Sequence, residues 1–105
     1  MTIKLSISLN RHILRGIFDG DGYARKSNGT IEIATGSEEL KNQIVKYLDS
    51  NNIYCTVHKS TKTLYIIGVY TKKECKKLYD LLYTDATVFL ERKKAVLCPF
   101  YDENQ

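Results

Sequence analysis

The chain has no tryptophan, one proline and one methionine in 105 residues, with only two histidines and three cysteines. His12 and His58 are too few and too far apart for a histidine-built metal centre. Cys55, Cys75 and Cys98 form no C-x-x-C pair and are odd in number. That argues against a disulfide frame or a zinc site. It favours buried thiols in a reducing compartment, cytoplasmic or organellar, and not a secreted protein. No apolar run approaches a membrane span. Residues 1–10 carry one charge, Lys4, and no cleavage-site pattern, so no signal peptide is expected. There is no low-complexity segment and no linker.

What remains is one domain by length, with a net charge of +4 that leans towards an anionic partner. Its most unusual stretch is 14–22, Leu-Arg-Gly-Ile-Phe-Asp-Gly-Asp-Gly. His12, Ile13, Leu14, Ile17 and Phe18 recur with a helical period. Asp19-Gly20-Asp21-Gly22 is expected to break that helix and leave both carboxylates just past its end. The negative pole of the helix dipole disfavours acids there, so a cation explains them better than stability does. Gly16 and Gly20 are four apart, on one helix face. Each costs roughly 0.5–1 kcal/mol against alanine, which suggests that another backbone comes close along that face. A calcium loop starting at Asp19 fails, because its fifth and twelfth positions are Tyr23 and Thr30. A dinucleotide fingerprint fails because these glycines follow a helix. A solvated acidic turn stays open as the plain alternative.

Ile3, Leu5, Ile7 and Leu9 alternate with polar residues, as in a short strand or an extended arm, and are read as an arm leading into a helix near Asn10. A strand over 23–26 and a second over 30–35 flank Ser27-Asn28-Gly29, whose Asn-Gly is a strong hairpin signal. In the second strand Ile31 and Ile33 face one way, Glu32 and Ala34 the other. Ser37 caps the next helix, with Glu38 and Glu39 in its first turn and Leu40, Ile44, Val45 and Leu48 as its buried stripe. Strands follow over 53–59 and 63–70, turning at 60–62. Thr71-x-x-Glu74 is a capping box opening a helix with the stripe Cys75, Leu78, Leu81 and Leu82. Asp85 is expected to cap a last helix that Pro99 stops. Its inward stripe runs Ala86, Phe89, Leu90, Val96 and Leu97, with Lys93 on the same side.

Residues 14–22 resemble the signature of the LAGLIDADG homing endonucleases. Leu14, Gly16, the apolar pair Ile17 and Phe18, Asp19, Gly20, Asp21 and Gly22 match position by position. Arg15 stands where the signature has alanine, a departure expected on an exposed edge. The segment 82–93 resembles the family's second recurrent block, which ends in an Arg-Lys pair, here Arg92-Lys93. The resemblance implies an α+β half-domain of order αββαββα with a four-stranded antiparallel, saddle-shaped sheet. It covers a core of residues 10–98 in a single domain 1–105, with an arm over 1–9 and a tail over 99–105.

The resemblance also implies a function: a homodimer that cuts both strands of a long, roughly palindromic DNA site with Mg²⁺ or Mn²⁺, without membrane or organic cofactor. Asp21 and the Gly20 carbonyl would bind metal, and Lys93 would polarise the attacking water or the phosphate, leaving Asp19 structural. Two copies would pack through Ile13, Gly16, Ile17 and Gly20. The outward strand face would read DNA through Tyr23, Arg25, Ser27, Glu32, Tyr54, Thr56, His58, Thr63 and Tyr65, while Lys26, Lys59 and Lys62 meet phosphates. Arg92 and Lys94 are expected to be phosphate contacts or surface charge. The polar residue that completes such sites falls among Ala34, Thr35, Ser37 and Lys41. A cleavage-deficient DNA- or RNA-binding protein of the same fold is the alternative.

Overall fold

Asn10 starts the first helix: its side chain accepts the N–H groups of His12 and Ile13, both at 2.9 Å, two donors that a helix start leaves without partners. The structure, a computed structural model, describes residues 9–84 and 86–102. Most of the alternating arm, the expected cap Asp85 and residues 103–105 lie outside them. The order is α1 (Arg11–Asp21), β1 (Gly22–Ala24), β2 (Ile31–Thr35), α2 (Glu38–Ser50), β3 (Thr56–Thr61), β4 (Leu64–Val69), α3 (Lys72–Tyr83) and α4 (Glu91–Tyr101). The strands form one antiparallel sheet in the order β1-β2-β4-β3. This is the expected α+β half-domain.

The core lies between one sheet face and the helices. Leu14 and Phe18 of α1, Ile44 and Leu48 of α2, Cys75, Leu78 and Leu82 of α3 and Leu97 of α4 are all fully buried. They close over Ile31, Ile33, Ile67 and Val69 of the two central strands. Ser37 caps α2 through Leu40 N–H at 3.1 Å, and Thr71 caps α3 through Glu74 N–H at 3.4 Å. The capping box is only half made, because the Glu74 carboxylate instead accepts Tyr54 N–H at 2.7 Å and pairs with Lys77.

Several expected boundaries move. α1 runs through Asp21, so both acids sit in its last turn and not beyond it. β1 ends at Ala24, since Arg25 already closes the turn by accepting Gly29 N–H and donating to Thr30 O. Gly29 takes a φ of +73°, the left-handed conformation that this turn requires. β3 begins at Thr56 and not at 53, because Tyr54 N–H goes to Glu74. α4 starts only at Glu91, with no side-chain cap of its own, and Leu90 is exposed. Pro99 does not stop it. Residues 99–101, expected as tail, are helical, and Tyr101 is buried with its hydroxyl donating to Gly29 O at 2.5 Å.

Candidate nucleic-acid interface and metal site

The C-terminal end of α1 is built by other helices. It has no basic residue in its last turn, so its carbonyls need an outside cation. Lys93 of α4 supplies it: Nζ donates to Phe18 O at 2.7 Å and to Gly22 O at 2.6 Å, and lies 5.3 Å from the Phe18 ring centroid. Burial pulls the Lys93 ammonium below the usual lysine range; Asp19 and, more weakly, Asp21 pull it back. Lys93 therefore points inward as expected, with two of its protons committed to backbone.

Asp19 and Asp21 are two residues apart and have opposite surroundings. Asp19 accepts Leu90 N–H at 3.0 Å through Oδ2, while its Oδ1 is buried without a hydrogen-bond partner among the described residues. Desolvation, and then the charge of Asp19, raise the Tyr83 phenol above its ordinary value. Asp21 is exposed at the junction of α1 and edge strand β1. The chain ahead turns into β1, so no helical N–H takes the Gly20 carbonyl. Among the described residues no three His, Cys, Asp or Glu side chains gather at one point. Asp21 and Gly20 fit part of an oxygen site for a hard cation.

Arg15 is not on an exposed edge. It is 6% exposed. Its Nε donates to Val88 O at 3.0 Å, Nη1 to Leu82 O at 2.9 Å and Nη2 to His12 Nδ1 at 2.8 Å. Like α1, α3 has no basic residue in its last turn, and Arg15 takes that place, joined by Arg11 on Thr84 O at 3.4 Å. On the other side of α1, Ile13, Gly16 and Gly20 are exposed and Ile17 is half-buried. A Cβ on either glycine would meet nothing within 4 Å. The strip is smooth and open.

The pairing register sorts the outward sheet face. Tyr23 lies opposite Glu32, Glu32 opposite Gly68, Ala34 opposite Ile66, and Thr56 and His58 opposite Gly68 and Ile66. All of these share the side away from Ile33 and Ile67. Arg25, Lys26 and Ser27 are exposed in the first hairpin turn, Lys62 and Thr63 in the second.

Two expected members, Tyr54 and Tyr65, are not on this face, and neither is Lys59, expected at phosphates. Tyr65 pairs with Thr35 and Lys59, so both Tyr65 and Lys59 turn to the helix side. There the Tyr65 ring carries Lys41 at 5.1 Å and Lys59 at 5.4 Å, and its hydroxyl donates to Glu38 at 3.4 Å. Tyr54 precedes β3 and, with Val45, Ile53 and Val57, lines a cleft of about 510 Å³ beside α2. Among the candidates for the completing polar residue, Thr35 accepts Ser37 N–H and Ser37 caps α2. Lys41 sits over Tyr65, and Ala34 has no polar side chain. Lys94 is not simple surface charge, since its ammonium lies 5.0 Å from Phe89 and 5.6 Å from Tyr83; Arg92 is exposed.

Sequence reasoning missed Ile66, Gly68 and Tyr70 on the outward face. A glycine inside a strand was the available signal: the Tyr70 ring folds over Gly68, where a Cβ would come within 2.2 Å of it. The Tyr70 hydroxyl donates to Glu32 Oε2 at 2.6 Å.

Residues 8–83 match the family model described as a LAGLIDADG-like domain. No curated protein and no solved structure matches the chain.

Proposed function

Because the chain belongs to the LAGLIDADG homing endonuclease family, we propose that it is a site-specific double-stranded DNA endonuclease. It acts as a homodimer on a long pseudo-palindromic site with a divalent metal. The observation that carries this is the end of α1: an exposed Asp21 and the Gly20 carbonyl stand beside an open strip of Ile13, Gly16 and Gly20. Too few ligands for a cation on one chain, next to a smooth face able to admit a second chain, is the pattern of a site completed by pairing.

In that site Asp21 and Gly20 O of each copy would hold Mg²⁺ or Mn²⁺, with DNA phosphates and water filling the other positions. The metal would supply charge stabilisation at the phosphate and a more acidic water. The chain itself does the positioning. Lys93 holds the Phe18 and Gly22 carbonyls that frame the two acids, with one ammonium proton left over. Asp19 anchors α4, which carries Lys93. The outward face around Tyr23, Arg25, Thr56 and His58 would lie against the groove, with Lys26 and Lys62 at the hairpin tips meeting phosphates. No helix among the described residues is long and apolar enough to cross a membrane.

A second function, DNA or RNA binding without cleavage, is favoured by one observation: Lys93 spends two of its three N–H groups on backbone carbonyls. Incubating the protein with Mg²⁺ and a randomised duplex library, beside Asp21→Asn, separates the two. Metal-dependent cutting of both strands that the variant lacks is the expected result. Duplex retention without any such cut would leave the binding protein.

A further inference from the structure

Among the described residues, Glu32 is the only acid in the strands. A carboxylate on a face that approaches DNA is repelled by the phosphates, so a restrained one there asks for a donor to meet it. The restraint is unusual for a strand side chain on an open face. Tyr70 donates to Glu32 Oε2 at 2.6 Å. The ring can reach it only because position 68, opposite Glu32 on β4, is glycine. Desolvation of the phenol, with the hydrogen bond and charge of Glu32 behind it, pushes Tyr70 up to about 12. On the other side Arg25 Nη2 is 3.7 Å from Glu32 Oε1, and the guanidinium is steadied 5.7 Å from the Tyr23 ring centroid.

An acceptor and a fork of donors thus stand side by side, both directed by neighbours. In the major groove, cytosine offers an N4 amino donor and its paired guanine offers the O6 and N7 acceptors. Adenine offers a donor flanked by its own N7 acceptor, which an acceptor-only carboxylate repels. We infer that Glu32, positioned by Tyr70 and with Arg25 beside it, is a specificity-determining residue that reads a C·G base pair, Glu32 taking the cytosine N4 proton and Arg25 facing the guanine. This rests on the proposed binding of duplex DNA.

The test selects bound sites from a randomised duplex library, without Mg²⁺, using the full chain and its Glu32→Gln and Tyr70→Phe variants. The parent should select C·G at one position of each half-site. Glu32→Gln should select A·T there, because a glutamine side chain pairs with adenine N6 and N7, moving the cytosine-to-adenine ratio by roughly ten-fold or more. Tyr70→Phe should keep cytosine but lower its enrichment several-fold, with every other position unchanged, which a loss of stability alone would not do. If Glu32→Gln selects the parent's base at every position, the inference is overturned while DNA binding stands. If the parent retains no duplex, DNA binding itself fails and the inference goes with it.

Discussion

Asp19 of α1 caps the start of α4 by accepting the N–H of Leu90, seventy-one residues on, at 3.0 Å, where α4 has no side-chain cap of its own. One acid of the signature is thereby spent on architecture. Asp19→Ala should lower unfolding stability by about 1–2 kcal/mol, the usual worth of an N-cap. Asp19→Asn, which keeps an acceptor oxygen, should cost less. Urea midpoints of the two variants check this, and equal midpoints would remove the capping role.

Arg15→Ala restores the residue that the signature carries, and should nevertheless destabilise this chain. It leaves the buried Leu82 carbonyl without its donor, at about 1–3 kcal/mol, and also removes the part-buried contact to Val88 O. Arg15→Lys should recover only part of that, having no planar fork to reach both carbonyls and His12. Chemical denaturation reads both.

Lys93→Met should reduce stability as well as any cleavage. Charge at a helix C-terminus is worth about 0.3–2 kcal/mol, and here the ammonium serves carbonyls on both sides of the acids. Thermal melts of the DNA-free protein isolate this part. An unchanged melt would mean that the contacts to Phe18 and Gly22 contribute nothing to folding.

Glu74 ties Tyr54 N–H to α3, and that hydrogen bond, then the one from Lys77, holds its carboxyl below the usual value of 4.5. A depressed acid stabilises the fold above its unfolded value and loses that contribution as pH falls through the folded one. Glu74→Gln should therefore melt below the parent at neutral pH, and the gap should close as the pH falls below 4.5. Paired melts across that range test the sign.

Gly16 and Gly20 meet nothing in their own chain. Gly16→Ala and Gly20→Ala should stabilise an isolated protomer by about 0.5–1 kcal/mol each and weaken self-association. Sedimentation at a series of concentrations reports the second effect. Stabilised variants that pair as strongly as the parent would put the dimer contact elsewhere.

The order of elements was legible because its signals are local. Ser37 and Thr71 cap the helices that follow them, and Ile31 and Ile33 alternate with Glu32 on a single strand. Cys75, Leu78 and Leu82 repeat at helical spacing, and all three are buried. What could not be read depends on distant partners. The start of α4 hangs on Asp19, and the burial of Arg15 on the Leu82 carbonyl in the last turn of α3 and the Val88 carbonyl in the loop after it. Tyr65 was placed on the wrong face because Leu64, Tyr65, Ile66 and Ile67 are all apolar, so alternation alone does not choose a register. For the candidate site, the signature named Asp21, Gly16 and Gly20, and the structure leaves all three exposed. Tyr70 escaped because its partner, Glu32, lies on the neighbouring strand and is reached over Gly68.

The grip of Lys93 on Phe18 and Gly22 also limits how this protein could be rebuilt by recombination. A chimera that inherits its last helix from another lineage must import a matching lysine with it, or the acidic end of the first helix loses its counter-charge. The two segments, far apart in the gene, are bound to travel together.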